Sequence, residues 1–253
     1  MPEAIIFGVN GALADTERDG HRVAFNAAFR KFGLGWYWDE TFYGELLEIG
    51  CGKERIRTYI ERHLARHVFR GDMDAWLSRL YEAKARHFAA LLHHPGIPLR
   101  RGVARLLREL RQNGVRLAIA TTSSPQAVTT LLETSLGAGS AGWFEVVGTG
   151  DVANAGKPAP DIHRWVLQRL ALPPASCLAI EGSANGLKAA QAAGLRTLVT
   201  AGYYAALDDF SGAVAALSDL GEPEQPVAMV LKGRMYRRQY VDAALLAKWL
   251  RVE

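Results

Sequence analysis

Residues 17–92 carry helical patterns and no convincing strand, and that block parts one short apolar run from a later alternation of strands and helices. The run is AIIF at 4–7, a short buried strand, with the tight turn Gly8-Val9-Asn10-Gly11 at its C-terminal end. After His94-Pro95-Gly96 the period changes. Residues 103–113 (VARLLRELRQN) read as an amphipathic helix closed by Gly114, 115–120 (VRLAIA) as a strand, and 126–136 as a helix opening at Ser124-Pro125. A strand at 145–147, a helix at 161–170, a strand at 177–180 ending at Glu181, a helix at 185–193 and a strand at 195–199 follow. Strands separated by helices of this length predict an α/β fold with a mostly parallel sheet and right-handed crossovers. The expected organisation is a discontinuous α/β core of residues 1–14 and 95–222, an inserted helical domain at 15–94, and a C-terminal extension at 223–253.

Within the insertion, 21–32 (HRVAFNAAFRKF) places Val23, Phe25, Ala27, Ala28, Phe29 and Phe32 on a helical stripe ended by Gly33. Trp36-Tyr37-Trp38 follows as packing aromatics, then helices at 39–47, 53–68 and 74–92, with a turn at Gly50-Cys51-Gly52. At 253 residues the chain can bury a large core, and 49% hydrophobic with 22% charged residues is ordinary for a soluble protein. The net charge of +4 is modest and spread over many arginines, which weakly favours small anions and says little about nucleic acid; no nucleic-acid partner is expected. Two distant cysteines, Cys51 and Cys177, imply neither a disulfide scaffold nor a zinc site. No window approaches the ~20 apolar residues of a membrane span, so no membrane partner is expected and a cytoplasmic location is. The extension reads as a strand at 227–231, a basic patch (Lys232, Arg234, Arg237, Arg238) and a helix at 241–250 that packs on the core. The rival is a partner-binding arm in which those arginines act beside Tyr236 and Tyr240.

The stretch AIIFGVNGALADTE at 4–17 resembles the first motif, FDxDGTLxDTE, of the haloacid-dehalogenase-like phosphohydrolases. Three further motifs can be placed: Thr121 after the second core strand, Lys157 in GKPAPDI, and Glu181-Gly182-Ser183 where the family usually has Glu-Asp-Ser. Within the family the chain looks like the beta-phosphoglucomutases and sugar-bisphosphate phosphatases, in particular the xylulose-bisphosphate phosphatases. HRVAFNAAF from His21, Trp38-Asp39 and Gly52-Lys53-Glu54-Arg55 carry that likeness. It implies a Rossmann-like core closed by a helical cap, with a sugar phosphate held between them. Thr121, Lys157, Asn10, Gly11, Arg55, Lys53, Lys84 and His21 fall on phosphate- or substrate-binding positions.

The family's chemistry needs a carboxylate nucleophile that forms an aspartyl-phosphate, an acid/base carboxylate and a Mg²⁺ site. Those aspartates fall here on Gly8, Asn10 and Gly182. Glycine supplies no nucleophile, and asparagine exchanges no proton near neutral pH. Of the acids only Glu181 remains, so no metal is expected, with Glu181 the one candidate ligand. Asp15 is the nearest substitute acid, but it matches a position at the cap hinge. The expectation is a pseudoenzyme that binds phosphate or a sugar phosphate through a cradle of N–H groups at residues 9–11, Thr121 and Lys157, with Lys157 leaning on Glu181 or a bound anion. The alternatives are an active phosphatase or phosphomutase with an unconventional mechanism, Mg²⁺ included, and a structural or protein-interaction subunit.

Overall fold

The computed structural model describes residues 1–49, 52–64, 71–153 and 155–251. The chain divides into two compact units, one of Met1–Thr16 with Gly96–Glu253 and one of Glu17–Pro95.

The first unit is built on a seven-stranded sheet. In chain order its strands are β1 (Ala4–Phe7), β2 (Arg116–Ala120), β3 (Val146–Gly148), β4 (Cys177–Glu181), β5 (Arg196–Thr200), β6 (Ala215–Leu217) and β7 (Val230–Gly233), arranged β3-β2-β1-β4-β5-β6-β7. All neighbours are parallel except β6 and β7. β1 is buried along its whole length, as its unbroken apolar run requires for a central parallel strand. It pairs with β2 on one side and β4 on the other, so the connections leaving β1 and β4 diverge. That switch point opens a crevice at the C-terminal strand ends, where α/β sheets bind ligands. The helices that cover this unit follow their apolar stripes. Val103, Leu106, Leu107 and Leu110 are buried on one (Val103–Gln112), and Ile162, Val166, Leu167 and Leu170 on another (Asp161–Leu170).

β6 was not foreseen. Its alanine-rich sequence has little strand propensity, and pairing between β5 and β7 imposes the extended form. β7 begins later than expected because the Val227 N–H donates to the Gln239 carbonyl instead of joining a ladder. The stretch treated above as an extension groups with the first unit: it supplies β7 and a final helix, Ala243–Arg251, which buries Leu245, Leu246 and Trp249. Several of its charges and rings are engaged locally. Arg238 pairs with Asp242 at 3.2 Å, the Lys248 ammonium lies 3.8 Å from the Tyr236 ring centre, and Arg105 covers Tyr240.

The second unit is helical throughout its described residues: a π-helical stretch (Glu17–Arg22), then helices Val23–Lys31, Glu40–Leu46, Gly52–His63 and Met73–His93. Residues 65–68 of the expected 53–68 helix, and Gly50 and Cys51 of the expected turn, lie outside the described residues. Phe25, Phe29, Trp38 and Tyr43 form its fully buried aromatic centre, and the Asn26 side chain brackets the Trp38 backbone with two bonds of 2.8 Å. No described helix is long and apolar enough to cross a membrane.

Candidate active site of the α/β unit and a basic cluster of the helical unit

At the C-terminal end of the sheet, the loops after β1, β2 and β4 meet. The Gly8 N–H donates to the Ile180 carbonyl at 2.8 Å, which locks residue 8 beside the end of β4. Asn10 does not face outward alone: its Oδ1 accepts from Thr16 Oγ1 at 2.6 Å and Ser123 Oγ at 3.3 Å. Ser123 also bonds the Thr121 hydroxyl at 3.2 Å, so Asn10, Ser123 and Thr121 form one string across two strand ends. Thr121 is buried, and its N–H is spent on the Gly148 carbonyl.

Lys157 extends over the end of β2 and donates to the Ala120 carbonyl at 2.9 Å and to Glu181 Oε1 at 2.5 Å. His163, fully buried on the Asp161–Leu170 helix, meets the same Oε1 through Nε2 at 2.8 Å. Burial pushes the Glu181 carboxyl up, but the Lys157 charge and the His163 bond outweigh it and hold the group at about 2. Burial pushes the His163 imidazole below its ordinary value against the pull of Glu181. An ionised carboxylate can only accept, so a neutral His163 carries its proton on Nε2. The cluster therefore sums to zero charge.

Two glycines shape the space. A Cβ on Gly8 would stand 2.6 Å from Glu181 Oε2 and 3.1 Å from its Cδ. A Cβ on Gly182 would stand 2.5 Å from the Asn10 carbonyl oxygen and 2.6 Å from the Ala12 nitrogen. The β1 turn thus rests directly on residue 182. One expected feature is corrected here: the Gly11 N–H does not face an anion but closes the turn on the Ala14 carbonyl at 2.8 Å. Gly11, at φ +73°, takes a backbone conformation that a side chain would strain, and its carbonyl accepts from Arg100. Arg100 also bonds the carbonyls of Thr200, Ala201 and Ser218 and pairs with Asp15 at 3.4 Å. Asp15 is thereby committed to Arg100 and, through the Tyr203 N–H at 3.0 Å, to the loop after β5. Cys177 is buried in the core, where burial raises its thiol.

The other sequence-derived candidates lie in the helical unit. Arg55 is buried, donating to the Ile49 carbonyl at 2.7 Å and the Tyr43 hydroxyl at 3.2 Å, with Glu17 at 3.6 Å. Lys53 is exposed and reaches Ser78 Oγ at 3.3 Å. Lys84 is 5% exposed, its ammonium 5.0–5.4 Å from the centres of the Phe25, Tyr81 and Phe88 rings. The apolar stripe of its helix passes through position 84, and neighbouring aromatics close over the stem. Nζ meets His21 Nδ1 at 2.7 Å. Burial lowers Lys84 to about 8, and burial together with the Lys84 charge lowers His21 to about 3, so Lys84 is the donor to a neutral ring.

Sequence reasoning missed His163, Ser123 and Arg100. His163 did leave a signal: it lies three and four positions before Val166 and Leu167, on the buried stripe of its helix. Ser123 and Arg100 sit in loops where no period marks them.

A Rossmann-like sheet with an inserted helical unit and a lysine–carboxylate pair at the strand ends defines a class, and the family model for haloacid dehalogenase-like hydrolases matches residues 2–194. The chain belongs to that family. Within it, the chain groups with the CbbY proteins: it is 42% identical to the plasmid-borne CbbY of Cupriavidus necator, over 98% of this chain and 96% of that protein. The CBBY-like protein of Arabidopsis thaliana is 36% identical over 96% of this chain and 77% of its own length. Among solved structures, Rhodobacter sphaeroides CbbY with bound phosphate superposes with a TM-score of 0.75 at 40% identity, covering 87% of this chain and 95% of that one. A variant of the same protein in complex with xylulose-(1,5)bisphosphate gives 0.75 at 41% identity, with the same coverage.

Proposed function

We propose that this chain is a pseudoenzyme of the haloacid dehalogenase-like hydrolases, one that binds phosphate or a sugar phosphate without metal-dependent turnover. The observation that carries this reading is the packing of the Asn10–Ala12 backbone onto Gly182, which leaves no volume for the acid the family places there. Gly8 supplies no nucleophile, and the Asn10 amide can neither give nor take a proton in the reaction. Magnesium prefers six hard oxygens in octahedral array, usually with one or two carboxylates among them. Glu181 is the one acid left at the nucleophile, acid/base and metal-ligand positions, and its Oε1 already accepts from both Lys157 and His163. The donor set does not fit a magnesium ion, and no step is routed through one.

The ligand class rests on the relatives that hold phosphate and xylulose-(1,5)bisphosphate at 40–41% identity. On this chain Lys157, Thr121 and Asn10 would meet a phosphate in the α/β unit, while Gly11 shapes the turn beside them. Lys53, Arg55 and Lys84 are the cations the helical unit would offer a ligand, with the neutral His21 ring bonded to Lys84. The test is isothermal titration with inorganic phosphate and with a pentose bisphosphate, with and without Mg²⁺, beside a phosphate-release assay on a panel of sugar phosphates. Binding that needs no Mg²⁺, without release, is expected. Binding only with Mg²⁺, or release that disappears in K157A, overturns the reading. The triple restoration G8D/N10D/G182D is expected to stay inactive, because side chains at 8 and 182 run into Glu181 and the β1 turn.

A further inference from the structure

Resting on that ligand-binding reading, we infer that the Glu181 side chain is a resident occupant of the anion position, and that an incoming phosphate must displace it to reach Lys157. Residue 8 stands beside the end of β4, since Phe7 pairs with Ile180 and the Gly8 N–H donates to the Ile180 carbonyl. The Glu181 carboxyl fills the slot that side chains at Gly8 and Gly186 would otherwise take. Oε2 lies 2.6 Å from the Cβ direction of Gly8, and Cδ lies 2.9 Å from that of Gly186. A carboxylate rooted on β4 has thus moved into space beside β1 that a side chain of residue 8 would enter.

The clamp that holds it there is specific. Lys157 and His163 converge on the same Oε1, one from the loop before the Asp161–Leu170 helix and one from the helix itself. Among the described residues no hydrogen bond reaches Oε2. Lys157 is the cation any anion in this pocket would need, and Glu181 consumes it. A phosphate arriving beside an ionised Glu181 meets a like charge inside a poorly solvated site, where Coulomb interactions are far stronger than in water. Phosphate and Glu181 therefore compete for one ammonium. The binding free energy of the ligand is reduced by whatever it takes to break the Glu181–Lys157–His163 cluster.

Titration of inorganic phosphate into the full chain and its E181A variant, in metal-free buffer with chelator, decides the point. E181A is expected to bind phosphate at least about tenfold more tightly, and phosphate should raise its Tm more than that of the parent. Should E181A fail to fold, G8A takes its place: the added Cβ pushes against Oε2 and loosens the clamp while the carboxylate charge stays, so a smaller gain of about threefold is expected. Equal and measurable affinities in parent and variant overturn the occupant and leave the ligand-binding reading standing. No phosphate binding by either protein overturns both.

Discussion

The two units treat a lysine turned away from solvent in opposite ways: Lys84 is buried and Lys157 is partly buried. In the α/β unit, Lys157 faces Glu181 at 2.5 Å with a neutral histidine behind, and the cluster carries no net charge. In the helical unit, Lys84 donates to a neutral His21 and lies among three rings, while the nearby acid, Glu17, bonds the Tyr43 hydroxyl at 2.6 Å and pairs with Arg55. Two cations there share one carboxylate, which leaves a net single positive charge. The difference shows in the titration: Glu181 is held at about 2 by its partners, whereas Lys84 is dragged down to about 8 by burial. The cluster at the strand ends settles its charges internally. A buried cation kept without a dedicated counter-ion is costly.

The largest test of that contrast is K157M. Removing one partner strands a fully buried carboxylate, and a loss of about 3–5 kcal/mol is expected in urea unfolding. The double variant K157M/E181L should recover most of it, because both charges leave together and apolar groups of similar size replace them. If K157M costs under about 1 kcal/mol, the pair is not the closed ion pair described and the comparison fails.

A smaller effect probes the neighbouring loop. G182A should cost about 1–3 kcal/mol, since a methyl must push the Asn10–Ala12 backbone aside in a packed region. A neutral result would mean that the turn moves easily, and that an acid could be accommodated there.

Legibility differed between the two clusters for a physical reason. The α/β core was readable because unbroken runs such as AIIF and CLAI can only be central strands, and each ends at a residue that matters: Gly8, Thr121 or Glu181. The losses at 8, 10 and 182 were equally plain, being identities. What they did to the space around them was not. That Glu181 leans across toward Gly8, and that the β1 turn lies on Gly182, are contacts between segments some 170 residues apart, and no local pattern encodes them. β6 escaped for a related reason, since its strand form comes from its neighbours rather than from AAL. The burial of Lys84 was not legible either, because a lysine flanked by charges carries no local sign that its helix turns it inward among Phe25, Tyr81 and Phe88.

The mildest prediction sharpens the comparison from the helical side. A lysine lowered from 10.5 to about 8 binds its proton less well in the folded chain than in the unfolded one. Between those values the unfolded state holds more protons, so stability must rise as the pH climbs from about 8 to 10.5, and the full penalty is present below 8. K84M removes the charge and with it that rise. At pH 7 the variant should be more stable by about 1–2 kcal/mol, because relief of a penalty of about 3 kcal/mol is partly offset by the lost bond to His21. Denaturant melts at pH 7, 8, 9 and 10 read both features at once. A parent whose stability is flat across that range would place Lys84 in contact with a counter-charge after all. K84M is also expected to bind a pentose bisphosphate more weakly than the parent in isothermal titration.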